Sequence, residues 1–204
     1  MLKKALFLTF ATLLCCSIAW GQYTTPETGK AYRMLTPGQN YKCMTANYKD
    51  NKIETMAKNN NAYDQMWILE KAGDNSVYIK NGLTGYYIQH ATKSSELFRM
   101  ADTPKEFFIK ENKYNKGFYN ILTTENGTRC LHSSPFNEVV VWSPSTSTAG
   151  SSEWVFEDAG VSIEVLAEQQ DKFKKQQDII KNTDKYKEEK CDCLRWCISR
   201  NDSG

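Results

Sequence analysis

The sequence predicts an all-β body followed by a C-terminal α-helix, and three observations carry that expectation. A short segment centred on a large aromatic recurs three times between residues 65 and 157, and hairpin-type Gly/Asn turns recur between the copies. Beyond residue 160 the apolar spacing changes from alternation to a seven-residue period. At 204 residues, 40% apolar and 12% aromatic, the chain has room for one ordinary domain with accessories and enough apolar surface for a packed core. A wholly disordered chain is thereby excluded.

Residues 1–21 read as a separate unit. Lys3 and Lys4 form a basic start, Ala5 to Trp20 an apolar run, and Ala19-Trp20-Gly21 places small residues before a cut ahead of Gln22. This is the pattern of a cleavable signal peptide, and the run is short for a membrane span of about twenty residues. Two other fates stay open: retention as an anchor, and lipid attachment at Cys16, although Cys15 stands where Gly, Ala or Ser is wanted. The expectation is export (secreted, periplasmic or cell-surface) with no transmembrane span after signal removal. Loss of two lysines takes the formal charge from +2 to about zero, so no basic field recruits anionic lipid or nucleic acid, and neither is expected as a partner. Cys43, Cys130, Cys191, Cys193 and Cys197 remain, an odd and sparse set that points to a core held by packing.

After a short leader at 22–30, the repeats occupy about 31–71, 76–112 and 117–158. Each closes on an alternating segment: Gln65-Met66-Trp67-Ile68-Leu69-Glu70, Lys105-Glu106-Phe107-Phe108-Ile109-Lys110 and Ser152-Glu153-Trp154-Val155-Phe156-Glu157. Large apolar residues two apart, followed by a charge, mark a half-buried strand. Each opens on a second echo, Tyr32 to Thr36, Val77 to Asn81 and Tyr119 to Thr123, with starts 45 and 42 residues apart. A third echo follows a Gly/Asn turn: Tyr41 to Thr45, Gly85 to Gln89 and Thr128 to His132. Three units of roughly four strands make about a dozen, and closing such a sheet removes its free edges. Propellers need four or more blades, so three units favour a β-trefoil of three four-stranded repeats.

A Q-x-W near the end of a repeat and a C-[LMV] strand after a Gly/Asn turn resemble the ricin-type (ricin B-like) β-trefoil lectin domain. Gln65-Met66-Trp67 is the one intact Q-x-W, while Phe107 and Trp154 keep the aromatic; the likeness spans all three repeats. The resemblance implies a secreted bacterial protein whose extracellular, non-catalytic module binds a glycan or polysaccharide. It further implies a sugar pocket with an Asp after the C-[LMV] pair, an aromatic platform about twelve residues before the closing Trp, and an Asn-Gln pair ahead of that Trp. Sugar C–H faces lie on the ring while carboxylate and amides take the hydroxyls. In the third repeat Trp142 matches the platform, His132 stands for Asp, and Ser151 and Ser152 stand for Asn-Gln. The first repeat offers Asp64 and Gln65, but Thr45 for the acid and Thr55 at the platform; the second offers Gln89 and, as nearest aromatic, Phe98. No repeat holds the full galactose set. For Trp142 the structural alternative is packing against the Val139 to Val141 run, and for His132 a plain hydrogen-bonded polar role. Trp67, Phe107 and Trp154 read as core. Cys43 and Cys130 share one repeat position and read as small buried groups, with a bridge between them left open.

Nothing points to catalysis. The two histidines, His90 and His132, have no metal-like spacing; no G-x-S-x-G, H-E-x-x-H or P-loop occurs; and the Cys130/His132 pair is only a strand neighbourhood. The chain reads as non-enzymatic, without cofactor or metal. From 161 to 190 Leu166, Phe173 and Ile180 recur every seven residues, with Ile163 extending the stripe of a charged amphipathic helix. Its seven acids and seven lysines compensate one another, so it packs weakly on the trefoil, pairs with a helix of a protein partner, or spaces it from another domain. Residues 191–204, with Cys191, Cys193 and Cys197, read as an irregular tail; three cysteines without a histidine make an incomplete zinc set. By analogy with multi-domain secreted proteins, the trefoil and helix read as the front end of a larger architecture, with the trefoil a targeting module. The competing function is a sugar-inactive scaffold that binds a protein.

Overall fold

The computed structural model describes residues 23–144 and 150–201, with side chains to residue 185. The signal-like segment therefore lies outside the described residues. Twelve strands fall into three sets of four. The first is β1 (Lys30–Thr36), β2 (Lys42–Asn47), β3 (Lys52–Met56) and β4 (Trp67–Lys71). The second is β5 (Val77–Asn81), β6 (Tyr87–Ile88), β7 (Met100–Ala101) and β8 (Glu106–Glu111); the third is β9 (Tyr119–Leu122), β10 (Cys130–Ser133), β11 (Val139–Trp142) and β12 (Val155–Asp158).

The first and last strand of each set build a barrel. β1 pairs with β4, β4 with β5, β5 with β8, β8 with β9, and β12 returns to β1, all antiparallel. A bridge between Tyr119 and Trp154, with reciprocal backbone bonds of 2.9 and 2.8 Å, joins β9 to β12 and closes the ring. The middle strands form three hairpins, β2–β3, β6–β7 and β10–β11, that cover one end. Bridges Lys52 to Arg99, Leu97 to Val140 and Glu54 to Glu138 link each hairpin to the next. A six-stranded barrel capped by a hairpin triplet is a β-trefoil, and closing the ring pairs both edges of every barrel strand among the described residues.

The repeat echoes fill this interior at equivalent places. Met34, Ile79 and Ile121 from the opening strands, Met44, Ile88 and Leu131 from the hairpins, and Trp67, Phe107 and Trp154 from the closing segments are all fully buried. A buried indole must place its N–H. Trp67 Nε1 donates to Met44 O at 2.9 Å and Trp154 Nε1 to Leu131 O at 3.0 Å, the same bond in two repeats. Phe107 has no N–H, and there the His90 ring meets it edge-on at 4.9 Å.

A turn at Gly160 (φ +66°) leads into α1 (Ile163–Asn201), where Ser162 Oγ accepts from Val165 N at 3.4 Å. Leu166 is fully buried in a satellite core with Ala31, Met66, Ile68 and Ala159. Gln170 Nε2 donates to Asn81 O at 3.2 Å and Phe173 meets Tyr48 edge-on at 5.1 Å. Ile180, the next member of the stripe, is exposed. The helix also corrects the tail. It runs on through the cysteine segment to Asn201, because residues 191–201 contain neither Gly nor Pro and Leu194, Arg195 and Trp196 are compatible with a helix.

Candidate functional site

The β10–β11 hairpin builds the site. Its register sets Cys130 opposite Trp142, Leu131 opposite Val141, His132 opposite Val140 and Ser133 opposite Val139. Alternation sends Leu131, Val139 and Val141 into the core and leaves His132, Val140 and Trp142 on the outer face. Between the strands Pro135 and Phe136 form the tip of a turn held by Asn137 N to Ser134 O at 3.1 Å and Ser134 N to Glu138 O at 2.8 Å. Asn137 takes the left-handed conformation (φ 65°) that such a turn requires.

These residues enclose a shallow cavity of about 350 Å³ lined by His132, Ser134, Phe136, Glu138, Val140 and Trp142. Ser95, from the β6–β7 hairpin of the second repeat, supplies the remaining polar wall. Trp142 is 46% exposed and Phe136 83%, so both aromatic residues are accessible to solvent. The His132 and Trp142 rings lie 5.7 Å apart with planes inclined by 32°. His132 Nδ1 is 2.8 Å from Ser152 Oγ, which itself donates to Ser143 O at 3.1 Å. With that hydroxyl proton committed, Nδ1–H is the donor, and Nε2 carries the free lone pair. Burial without a charged partner pushes the His132 pKa below its ordinary value, so the ring is neutral near pH 7.

Of the eight residues that the sequence singled out, the structure brings two together at this cavity, Trp142 and His132. Ser152 is buried and acts through His132, and Ser151 serves by its backbone, accepting from Ser133 N at 2.8 Å. The other four stand elsewhere, and most are already occupied. Gln65 is buried, with its amide donating to Thr45 Oγ1 and Ala57 O and accepting from Asn59 N at 2.7 Å, so it pins the loop before β4 and presents nothing to a ligand. Asp64 flanks it in a short helical turn, its carboxyl pKa raised by partial burial. Phe98 is fully buried against Phe107 and cannot be a platform. Gln89 spends its amide on Tyr87 O and Thr103 O. Thr55 is also buried. The register opposite Cys43 places Met56, not Thr55, where Trp142 sits, and Ala101 occupies that place in the second repeat. An aromatic platform thus occurs in one repeat of three. Sequence reasoning missed Phe136 and Glu138; the available signal was a large aromatic between Pro135 and Asn137 at a hairpin tip.

Cys43 and Cys130 are free thiols, buried and turned toward Gln65 O and Trp142 O. Among the described residues no group of three or more His, Cys, Asp or Glu side chains is placed to hold a metal ion, and no helix is long and apolar enough to cross a membrane.

The fold places the chain among proteins of β-trefoil architecture, and its structural neighbours include ricin B-like lectins. No family model and no curated protein matches it in sequence. Among solved structures it is similar to a ricin B-like lectin of Macrolepiota procera in complex with lactose, at 17% identity over 66% of this chain and 99% of that one, with a TM-score of 0.57. It is also similar to the Rhizoctonia solani agglutinin (13%, 66% and 99%, TM-score 0.54) and to the designed threefold-symmetric protein ThreeFoil (12%, 63% and 98%, TM-score 0.53). At these identities the likeness is one of fold.

Proposed function

We propose that the chain is an exported, non-catalytic carbohydrate-binding module of a secreted bacterial protein, ricin B-like in kind, that attaches its owner to glycans through the third repeat. The observation that carries this reading is Trp142, an exposed indole at the edge of a cavity that also holds a lone-pair nitrogen and a carboxylate. A sugar face stacked on Trp142 brings its hydroxyls to His132 Nε2 and to Glu138, the residue that restores the acid missing from the His132 position. Lactose in the similar Macrolepiota lectin supports a glycan as the ligand class. The non-catalytic reading rests on Glu138 being, among the described residues, the one carboxylate lining the cavity, whereas glycoside cleavage ordinarily needs a flanking pair.

A glycan array with wild type and Trp142→Ala is the test. The variant is expected to lose roughly tenfold or more in affinity for every sugar the wild type retains, with unchanged thermal unfolding. Identical array profiles for the two proteins would sink the reading. A separate contact with a protein is supported by α1, where Ile179 and Ile180 stand exposed beyond the docked turns. If that contact is the whole function, as for a sugar-inactive scaffold, Ile179→Ser/Ile180→Ser abolishes partner capture while Trp142→Ala has no effect on it.

A further inference from the structure

Resting on the carbohydrate reading of this cavity, we propose that the site selects a sugar carrying a free amino group, a hexosamine in its ammonium form, over neutral and acidic sugars. The first ground is charge. Among the described residues Glu138 is the one carboxylate on the wall, and burial lowers the His132 pKa so that its ring is neutral near pH 7. Lys52 Nζ pairs with Glu138 Oε1 at 3.9 Å but is shared with Glu54 at 3.1 Å and Asp50 at 3.8 Å, so it offsets the Glu138 charge only in part. The neighbouring Glu96 is not part of the wall: its carboxylate accepts from the backbone N–H groups of Thr92 and Lys93 at 2.8 Å.

The second ground is the pair of aromatic residues, Trp142 and Phe136, on the same cavity. Their faces carry negative quadrupole charge and attract a cation that lies over them. A neutral hydroxyl gains only an ordinary hydrogen bond from Glu138, an ammonium gains a charge-assisted one, and a carboxylate on the sugar is repelled.

The third ground is preorganisation. Ser95 (φ 63°) and Asn137 (φ 65°), two of the five non-glycine residues with positive φ among the described residues, flank the cavity. Such backbone is held only where its surroundings fix it. Ser95 N donates to Val141 O at 2.9 Å, while Asn137 O accepts from Thr55 N at 2.7 Å and Asn137 Oδ1 from Lys42 Nζ at 2.5 Å. The carboxylate and the rings thus sit on a frame that need not rearrange to bind.

The test is calorimetric titration of the protein at about pH 6, where a sugar amine is protonated. The ligands are a glucosamine tetramer, its fully N-acetylated counterpart, lactose, and choline as an ammonium without a sugar ring. The expected result is affinity for the free amine roughly tenfold or more above the acetylated form, weakening as salt is raised. Glu138→Gln, which keeps shape and backbone bonding, is expected to bring that ratio to within about twofold, with circular dichroism showing it folded. Equal affinity of wild type for both tetramers, with Trp142→Ala abolishing both, overturns amine selection and leaves the glycan reading standing. No heat with any sugar overturns both. Choline binding as tightly as the glucosamine tetramer overturns the proposal in favour of a cation cage.

Discussion

At His132 one hydroxyl decides the chemistry that the ring can offer. Ser152 Oγ holds Nδ1, which leaves Nε2 as the acceptor for as long as the ring is neutral. Half-burial disfavours the imidazolium, and the unfolded chain therefore takes up this proton at a higher pH than the native protein. The stability that the neutral ring contributes is complete above about pH 6.5 and is lost as pH falls, until the native ring titrates too. Urea unfolding of wild type and His132→Gln between about pH 7 and pH 5 should show a shallower loss in the variant; parallel slopes would remove His132 from the account. The two core thiols behave oppositely to reactive cysteines. Burial pushes Cys43 up to about 12 and Cys130 up to about 11, so little thiolate exists near pH 8. Alkylation of the native protein at that pH, followed by peptide mapping, should leave both unmodified, and both should label once urea unfolds the chain.

At the scale of elements, α1 divides into a docked start and an exposed remainder. Leu166 fills a pocket made by β1, β4 and the turn after β12, so Leu166→Ala should cost about 2–5 kcal/mol, read from urea unfolding. Ile180→Ala, about four turns on, should stay within about 0.5 kcal/mol because its side chain is already exposed. The same division explains what the sequence disclosed. The opening and closing strands were legible because both lie in the barrel, where one face must be apolar in every repeat, and so Trp67, Phe107 and Trp154 echo one another. The third strands were not, since the loops that precede them differ: four residues before β3, eleven before β7 and five before β11. The loops after them differ as well, which is why a count of twelve back from the closing aromatic finds Trp142 in one repeat and buried Thr55 in another. Half of the site was hidden for a related reason. Trp142 and His132 hold repeat positions, while Phe136 and Glu138 belong to a turn with no counterpart in the other units, and only the fold brings them beneath the same indole.

The whole molecule is closed where its first strand meets its last, and that seam contains a buried ionic cluster. Arg33 and Glu157 are register partners across β1 and β12, with Nη1 3.8 Å from Oε1. Arg33 also donates to Ala159 O at 3.1 Å and Asn60 O at 2.6 Å, and Lys58 Nζ lies 2.9 Å from Glu157 Oε2. One carboxylate thus serves two cations, of which Arg33 is the more deeply buried. Taking ions out of water costs several kcal/mol each, and their attraction offsets this only while both partners are present. Removing the shared acid should therefore hurt more than removing the arginine. Glu157→Leu leaves a buried guanidinium facing an apolar side chain and should cost about 3–5 kcal/mol, whereas Arg33→Met leaves Glu157 still paired with Lys58 and should cost less. The double variant Arg33→Met/Glu157→Leu should cost less than the sum of the two single changes, with a coupling of about 1–3 kcal/mol in a urea-unfolding cycle. If the two single changes simply add, the pair does not hold the ends of the barrel together, and closure rests instead on the β1–β12 backbone ladder and the packing of Tyr32 against Phe156.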